Sequence, residues 1–195
     1  MDEIQFYFDL GWQHIISWNA LDHILFITAL TAIYILKDWK KVLILITAFT
    51  IGHSLTLALS VYDVIRFSNK WIEFLIPCTI IATAIFNFFI KTFTYKALRL
   101  NYFLALFFGL IHGMGFANSI RFMLASDQKI ALPLLSFNVG LEVGQIAVVS
   151  LILLISYFSI SILKTPRKHW VVVLSVIAFT VALKLAIERL PFYFH

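Results

Sequence analysis

The chain is short of charge and of cysteine. Asp, Glu, Lys and Arg make up only 13% of its 195 residues, and Cys78 is the single cysteine. The scarcity of charge excludes an ordinary soluble domain, which has no core large enough to hide what remains. A lone cysteine excludes an intramolecular disulfide and argues against a soft thiolate metal site; within its apolar run, Cys78 reads as a small buried hydrophobe. Short-period repeats and low-complexity tracts are also missing. The opening Met1-Asp2-Glu3 is acidic where a secretory signal peptide would be basic, so no cleavable leader is expected.

What is present is apolar. Hydrophobic residues account for 62% of the chain, with 20 phenylalanines and a mean hydropathy of +0.95. Six apolar runs, at about 18–36, 42–62, 71–90, 100–122, 131–163 and 169–189, approach or exceed the roughly 20 residues that cross the hydrocarbon core as a helix. The expected fold is all-α: a polytopic transmembrane helical bundle of about six spans, forming a single integral membrane domain over 1–195. The fifth run is long enough to tilt or to extend past the bilayer. Residues 4–16, with Phe6, Phe8 and Trp12, read as a short N-terminal interfacial helix. Trp12, Trp18, Trp39, Trp71 and Trp170 fall near span ends, as in an aromatic belt.

The net charge of +5 is a topology signal rather than a mark of nucleic-acid binding. Lys37, Lys40, Lys41, Lys91, Lys96, Arg99, Lys164, Arg167 and Lys168 fall on one side. Arg66, Lys70, Arg121, Lys129 and Arg189 fall on the other, with the acidic N-terminus. The positive-inside rule then places both termini on the non-cytoplasmic side, as expected for a protein of a bacterial inner membrane.

Ionisable groups inside spans cost on the order of 2.5–3.5 kcal/mol at a helix centre on insertion scales, so they usually face an interior cavity. Asp22 and His23 lie in the first run, His53 in the second, Glu73 in the third, His112 in the fourth and Glu142 in the fifth. At a rise of about 1.5 Å per residue, all fall in the outer half of the bilayer or near its midplane, although the helices alternate in direction. The pattern predicts a funnel that opens outward and ends near the membrane centre. Lys184 of the sixth run lies near the outer end and can snorkel.

Asn138, Glu142 and Gln145 share one helix face by spacing. Gly140/Gly144 and Gly109/Gly113 form small-residue faces suited to close helix packing. Thr50, His53, Ser54 and Thr56 make one stretch of the second span polar. Imidazole and carboxylate together suit a divalent transition metal such as Ni, Zn, Cu or Co. Each residue also has a plainer reading: a single intramembrane His often serves as interhelical glue, Glu73 near an interface can be solvated, His14 precedes the first run as an interfacial residue, and His169 and His195 belong to a basic loop and a terminus.

These residues carry a resemblance. Gly11-Trp12-Gln13-His14-Ile15-Ile16, Leu21-Asp22-His23-Ile24-Leu25-Phe26, Phe49-Thr50-Ile51-Gly52-His53-Ser54-Leu55-Thr56-Leu57, the run Phe108–Phe116 and Phe137-Asn138-Val139-Gly140-Leu141-Glu142-Val143-Gly144-Gln145 together resemble the HupE/UreJ membrane proteins. The resemblance implies a metal permease associated with nickel, and points to His14, Asp22, His23, His53, His112 and Glu142 as metal residues. The chain departs from the hydrogenase-linked branch in having seven residues between His14 and Asp22 rather than five. It also has no Glu shortly after His112-Gly113. Both departures imply a divergent branch.

The expected arrangement is an outer ligand group of His14, Asp22 and His23 and a midplane group of His53, His112 and Glu142. Asn138 and Gln145, with Ser54 and Glu73, would support the ligands from behind. Two chemistries use such a set: a secondary metal transporter, or a zinc-type intramembrane hydrolase with Glu142 or Asp22 as general base and Ser54 as a weak nucleophile candidate. A metal-sensing subunit that works with a partner protein is a third possibility. The expected partners are a metal ion and the lipid bilayer, with homo-oligomers possible and no nucleic acid.

Overall fold

The structure is a computed structural model that describes residues 2–17, 20–89, 95–123 and 130–191. Trp18, Lys91, Lys129 and His195 lie outside these residues, as do the side chains of Lys96, Arg99 and Arg121. The described residues form seven helices: α1 (Glu3–Ile16), α2 (Leu21–Thr31), α3 (Trp39–Val61), α4 (Asn69–Phe89), α5 (Tyr95–Met123), α6 (Ala131–Tyr157) and α7 (Arg167–Glu188). Helix is the form that apolar segments this long take without water, because each backbone group then finds its partner within the segment.

Five helices are long and apolar enough to cross a membrane. The chain is an integral membrane protein, and large side chains such as Ile44, Leu55, Leu151 and Val173 face outward from the bundle. The length of the fifth run is explained by α6 continuing into one wide turn at Phe158–Ile162.

The first run folds differently from a single continuous span. α2 has 11 residues, about 16.5 Å at 1.5 Å per residue, which is too short to cross on its own. After it, Ala32, Ile33 and Tyr34 stay fully buried and lead to a short turn at Leu36–Asp38. α1 supplies the missing length. Its buried residues Tyr7, Gly11 and Ile15 recur every fourth position and form the face that meets α6. Gly11 touches Phe137 and Leu141, while Phe8 and Ile15 touch Gly140 and Gly144, so α1 and α6 run side by side in the same direction.

Contacts at the two ends of the bundle fix the direction of α2. Asp22, at its start, pairs with Arg189 at the end of α7. Ala29 and Ile33, at and beyond its end, receive hydrogen bonds from Asn87, near the end of α4, and from Arg167, at the start of α7. α6 runs the same way, because Ser156 and Tyr157 at its end meet Ile35–Lys37 around a common hollow. α1 and α2 therefore traverse the bundle together as one interrupted path, broken between Ile16 and Leu21.

The second close contact joins α3 and α5. A Cβ on Gly109 would lie 2.2 Å from the carbonyl oxygen of Phe49, and one on Gly113 would lie 2.2 Å from that of His53. In lipid, where apolar surface gains nothing by leaving solvent, such backbone approach is a main source of helix association. Both glycine pairs expected to pack helices thus do so, one bringing α1 to α6 and the other bringing α5 to α3.

Candidate metal centre

Each glycine contact positions a histidine. His14 stands one turn beyond Gly11, and His53 is adjacent to Gly52 on the face that receives α5. His14, His23 and His53, from α1, α2 and α3, each offer a ring nitrogen within 4.8 Å of the others. The ring centroids of His14 and His23 are 4.5 Å apart, and His112 of α5 lies 5.0 Å from His23. Phe116, Phe137, Phe49 and Phe26 pack around these rings. His53 and His112 are 0% and 1% exposed.

The hydrogen bonds around the cluster fix the free nitrogens. Asp22 Oδ1 lies 3.0 Å from His23 Nδ1, and a carboxylate can only accept, so Nδ1 carries the proton and Nε2 presents a lone pair. Asp22 is itself held by Arg189 at 3.1 Å. The Thr79 hydroxyl donates to the carbonyl of Ile76 and lies 3.2 Å from His112 Nε2. With its proton already committed, it accepts from Nε2–H, which leaves Nδ1 of His112 as the lone-pair nitrogen.

Among the described residues, the free ring nitrogens of the cluster have no hydrogen-bond partner. His14 Nε2, His23 Nε2, both ring nitrogens of His53 and Nδ1 of His112 are buried without hydrogen bonds. A buried polar atom left unsatisfied costs about 1–3 kcal/mol, and one lone-pair nitrogen on each of four rings is a pattern that a bound cation relieves. Asn138 Oδ1 is also buried without a partner and lies beside His53.

The cluster lies at a cavity of about 560 Å³, whose wall includes Leu10, Gln13, His14, Asp22, His23, Glu73, His112 and Arg189. Glu73 is exposed. Four residues on from it, Pro77 lies inside α4; lacking an N–H, it deprives the Glu73 carbonyl of its helical partner. The cavity thus has water-facing polar groups at its mouth and imidazoles within.

The sequence matches the family model described as HupE / UreJ protein over residues 1–189. The chain belongs to the HupE/UreJ family. HupE/UreJ proteins are associated with nickel and cobalt transport, and the histidine cluster is compatible with such an ion. No curated protein and no solved structure matches the chain.

Not every residue singled out in this HupE/UreJ sequence joins the cluster. Glu142 accepts a 2.6 Å hydrogen bond from Thr47 and is on neither the converging trio nor the cavity wall. Gln145, buried on the same helix, accepts from Thr50 at 2.8 Å. These two pairs form a separate polar layer between α3 and α6. Ser54 donates to the carbonyl of Thr50 in its own helix. Lys184 is exposed and pairs with Glu188.

Sequence reasoning underrated two residues. Arg189, counted only as a loop charge, closes the chain Arg189–Asp22–His23. Thr79, not singled out at all, sets the protonation of His112. A threonine within a span gives no isolated signal; the only cue was its place on the buried face of α4.

Proposed function

We propose that this protein is a permease for a divalent transition metal, with nickel the cargo its family suggests. The observation that carries the reading is the convergence of His14, His23 and His53, with unpartnered ring nitrogens, at a cavity open to one end of the bundle. The excess of basic residues on the opposite side argues that this end, with both termini, faces away from the cytoplasm. An arriving ion would exchange water for imidazole nitrogen. His14 and His23 stand on the cavity wall, and His53 receives the ion behind them.

In this reading Asp22 orients His23 rather than binding the ion itself, and Asn138 takes the ring proton of His53. Both are the usual partners behind a metal-ligating imidazole. His112, with Nδ1 bare, is the fourth ligand. Glu142, hydrogen-bonded to Thr47, stands apart from capture.

The test is uptake of radiolabelled nickel, cobalt and zinc into proteoliposomes containing the purified protein. Saturable uptake that disappears in His53→Ala supports the permease. Failure to carry any first-row metal, combined with one ion held tightly through purification, refutes it and favours the metal-dependent hydrolase.

A further inference from the structure

Glu142, the further carboxylate within a span, is engaged by Thr47, and an ion that binds four imidazoles must leave them. The buried face of α4 continues from the site. Thr79, Thr83 and Asn87 are spaced four residues apart, so they align on one face at steps of about 6 Å. All three are buried. The stripe starts at His112, through Thr79, and ends at Asn87, two residues before the end of α4. There the Asn87 amide donates to Ala29 O of α2 and to Ser175 Oγ of α7, at 2.7 and 3.1 Å.

The chemistry of these groups suits a cation. Thr83 donates its hydroxyl proton to Thr79 O, as Thr79 does to Ile76 O, so each side-chain oxygen keeps lone pairs. Asn87 must present nitrogen to the Ala29 carbonyl, which fixes its amide orientation and leaves Oδ1 as the acceptor. Neutral oxygens hold a transition metal more weakly than imidazole does. A row of them releases an ion stepwise, and conduction requires sites weak enough to leave. The other polar layer, Thr47–Glu142 and Thr50–Gln145, lies between α3 and α6, and its threonine hydroxyls donate to Glu142 and Gln145 rather than to the histidine cluster.

We infer that the Thr79–Thr83–Asn87 stripe of α4, completed by Ser175 of α7, lines the exit route of the metal ion from the histidine cluster to the far end of the bundle. The inference rests on the permease reading. The stripe is packed shut between α2 and α7, so passage requires those helices to part from α4.

Thr83→Val and Ser175→Ala test this in the full-length protein, because they remove oxygen while nearly keeping shape and touch none of the histidines. Metal binding to purified protein is measured by equilibrium titration, and uptake of the metal carried by wild type is measured in proteoliposomes. Both variants should bind as wild type does, whereas uptake falls roughly tenfold or more, the effect of losing one hydrogen-bond-strength contact to a charge. Thr83→Ser, which restores the oxygen, should recover it. Wild-type uptake rates in both variants overturn the route and leave the permease standing. Loss of binding together with uptake makes the stripe a support of the site and also overturns the route. Absence of uptake by wild-type protein overturns the permease reading and the route with it.

Discussion

Replacing Gly140 by alanine tests whether helix packing sets the metal site. A Cβ on Gly140 would fall 2.0 Å from the carbonyl oxygen of Phe8, with the Phe8 carbonyl carbon and Cα at 2.9 and 3.1 Å. All three atoms are backbone, so no side chain can swing aside. Ordinary contact begins at 3.4 Å, and 3.4 − 2.0 gives a displacement of α1 from α6 of about 1.4 Å at the level of Phe8. His14 lies six residues on in the same helix and moves with it, whereas metal–ligand distances tolerate only about 0.2 Å. Overpacking costs about 1–3 kcal/mol, and alanine returns about 1 kcal/mol of helix propensity, so the bundle stays folded. Metal affinity should nevertheless drop on the order of 100-fold, as displacements near 1 Å do in pre-organised sites. Gly115→Ala is the control. Its Cβ would meet Ile76 Cδ1, the free end of a flexible side chain, at 3.1 Å and Ile72 Cγ2 at an ordinary contact distance of 3.4 Å, so affinity should hold. The assay is competition with a chromophoric chelator in detergent, with helicity followed by circular dichroism. A folded Gly140→Ala protein that binds metal as tightly as wild type would refute the reasoning.

Asp22→Asn keeps the shape of the carboxylate but weakens its hold on His23 and Arg189. Loss of such a partner costs roughly 10–100-fold in metal affinity, and a titration showing none would return Asp22 to a bystander role. Because imidazole ligands must be unprotonated to bind a metal, affinity should fall once acid protonates the cluster; equilibrium dialysis on a descending pH series checks the sign, and metal held undiminished in strong acid contradicts histidine ligation. Glu142→Gln retains a group that accepts from Thr47, so binding at the histidine cluster should persist. Loss of bound metal in that variant would move Glu142 into the capture site.

Much of the bundle could be read from composition alone. Apolar runs of bilayer length become helices almost regardless of detail, and α3 to α7 form where hydropathy puts them. The separation of the short helix at 4–16 from the run that begins near 18 was legible, but its place inside the bundle was hidden. A hydropathy window sees Trp18 to Leu36 as continuous, while the feature that makes α1 part of the bundle is a single-atom fit between Gly11 and α6, with no hydropathic signature. The candidate ligands were legible because a charge or imidazole in a span is costly and therefore conspicuous. The division of labour among them was not. Whether Asp22 meets a metal or a histidine ring depends on side-chain geometry, and residue counting puts Glu142 at the depth of His53 although its carboxylate meets Thr47, six residues before His53 in α3.

The break explains why the cluster forms where it does. A continuous helix from Glu3 to Thr31 would place His14 and His23 nine residues apart, about 13.5 Å along the axis. Ending α1 at Ile16 and restarting the path at Leu21 frees the two segments from a common axis, and the rings come to 4.5 Å. Interrupted helices recur at midplane ion sites because the interruption lets one path offer more than one ligand at the same depth. Here α1 owes its position to α6 through Gly11 and Gly140, while α2 owes its position to α4 and α7 through Asn87, Arg167 and Arg189. The two halves of the site are therefore held by different helices. A movement that parts α2 from α4 and α7 would withdraw His23 while His14 stays fixed on α6, breaking the ligand set as the proposed route along α4 opens.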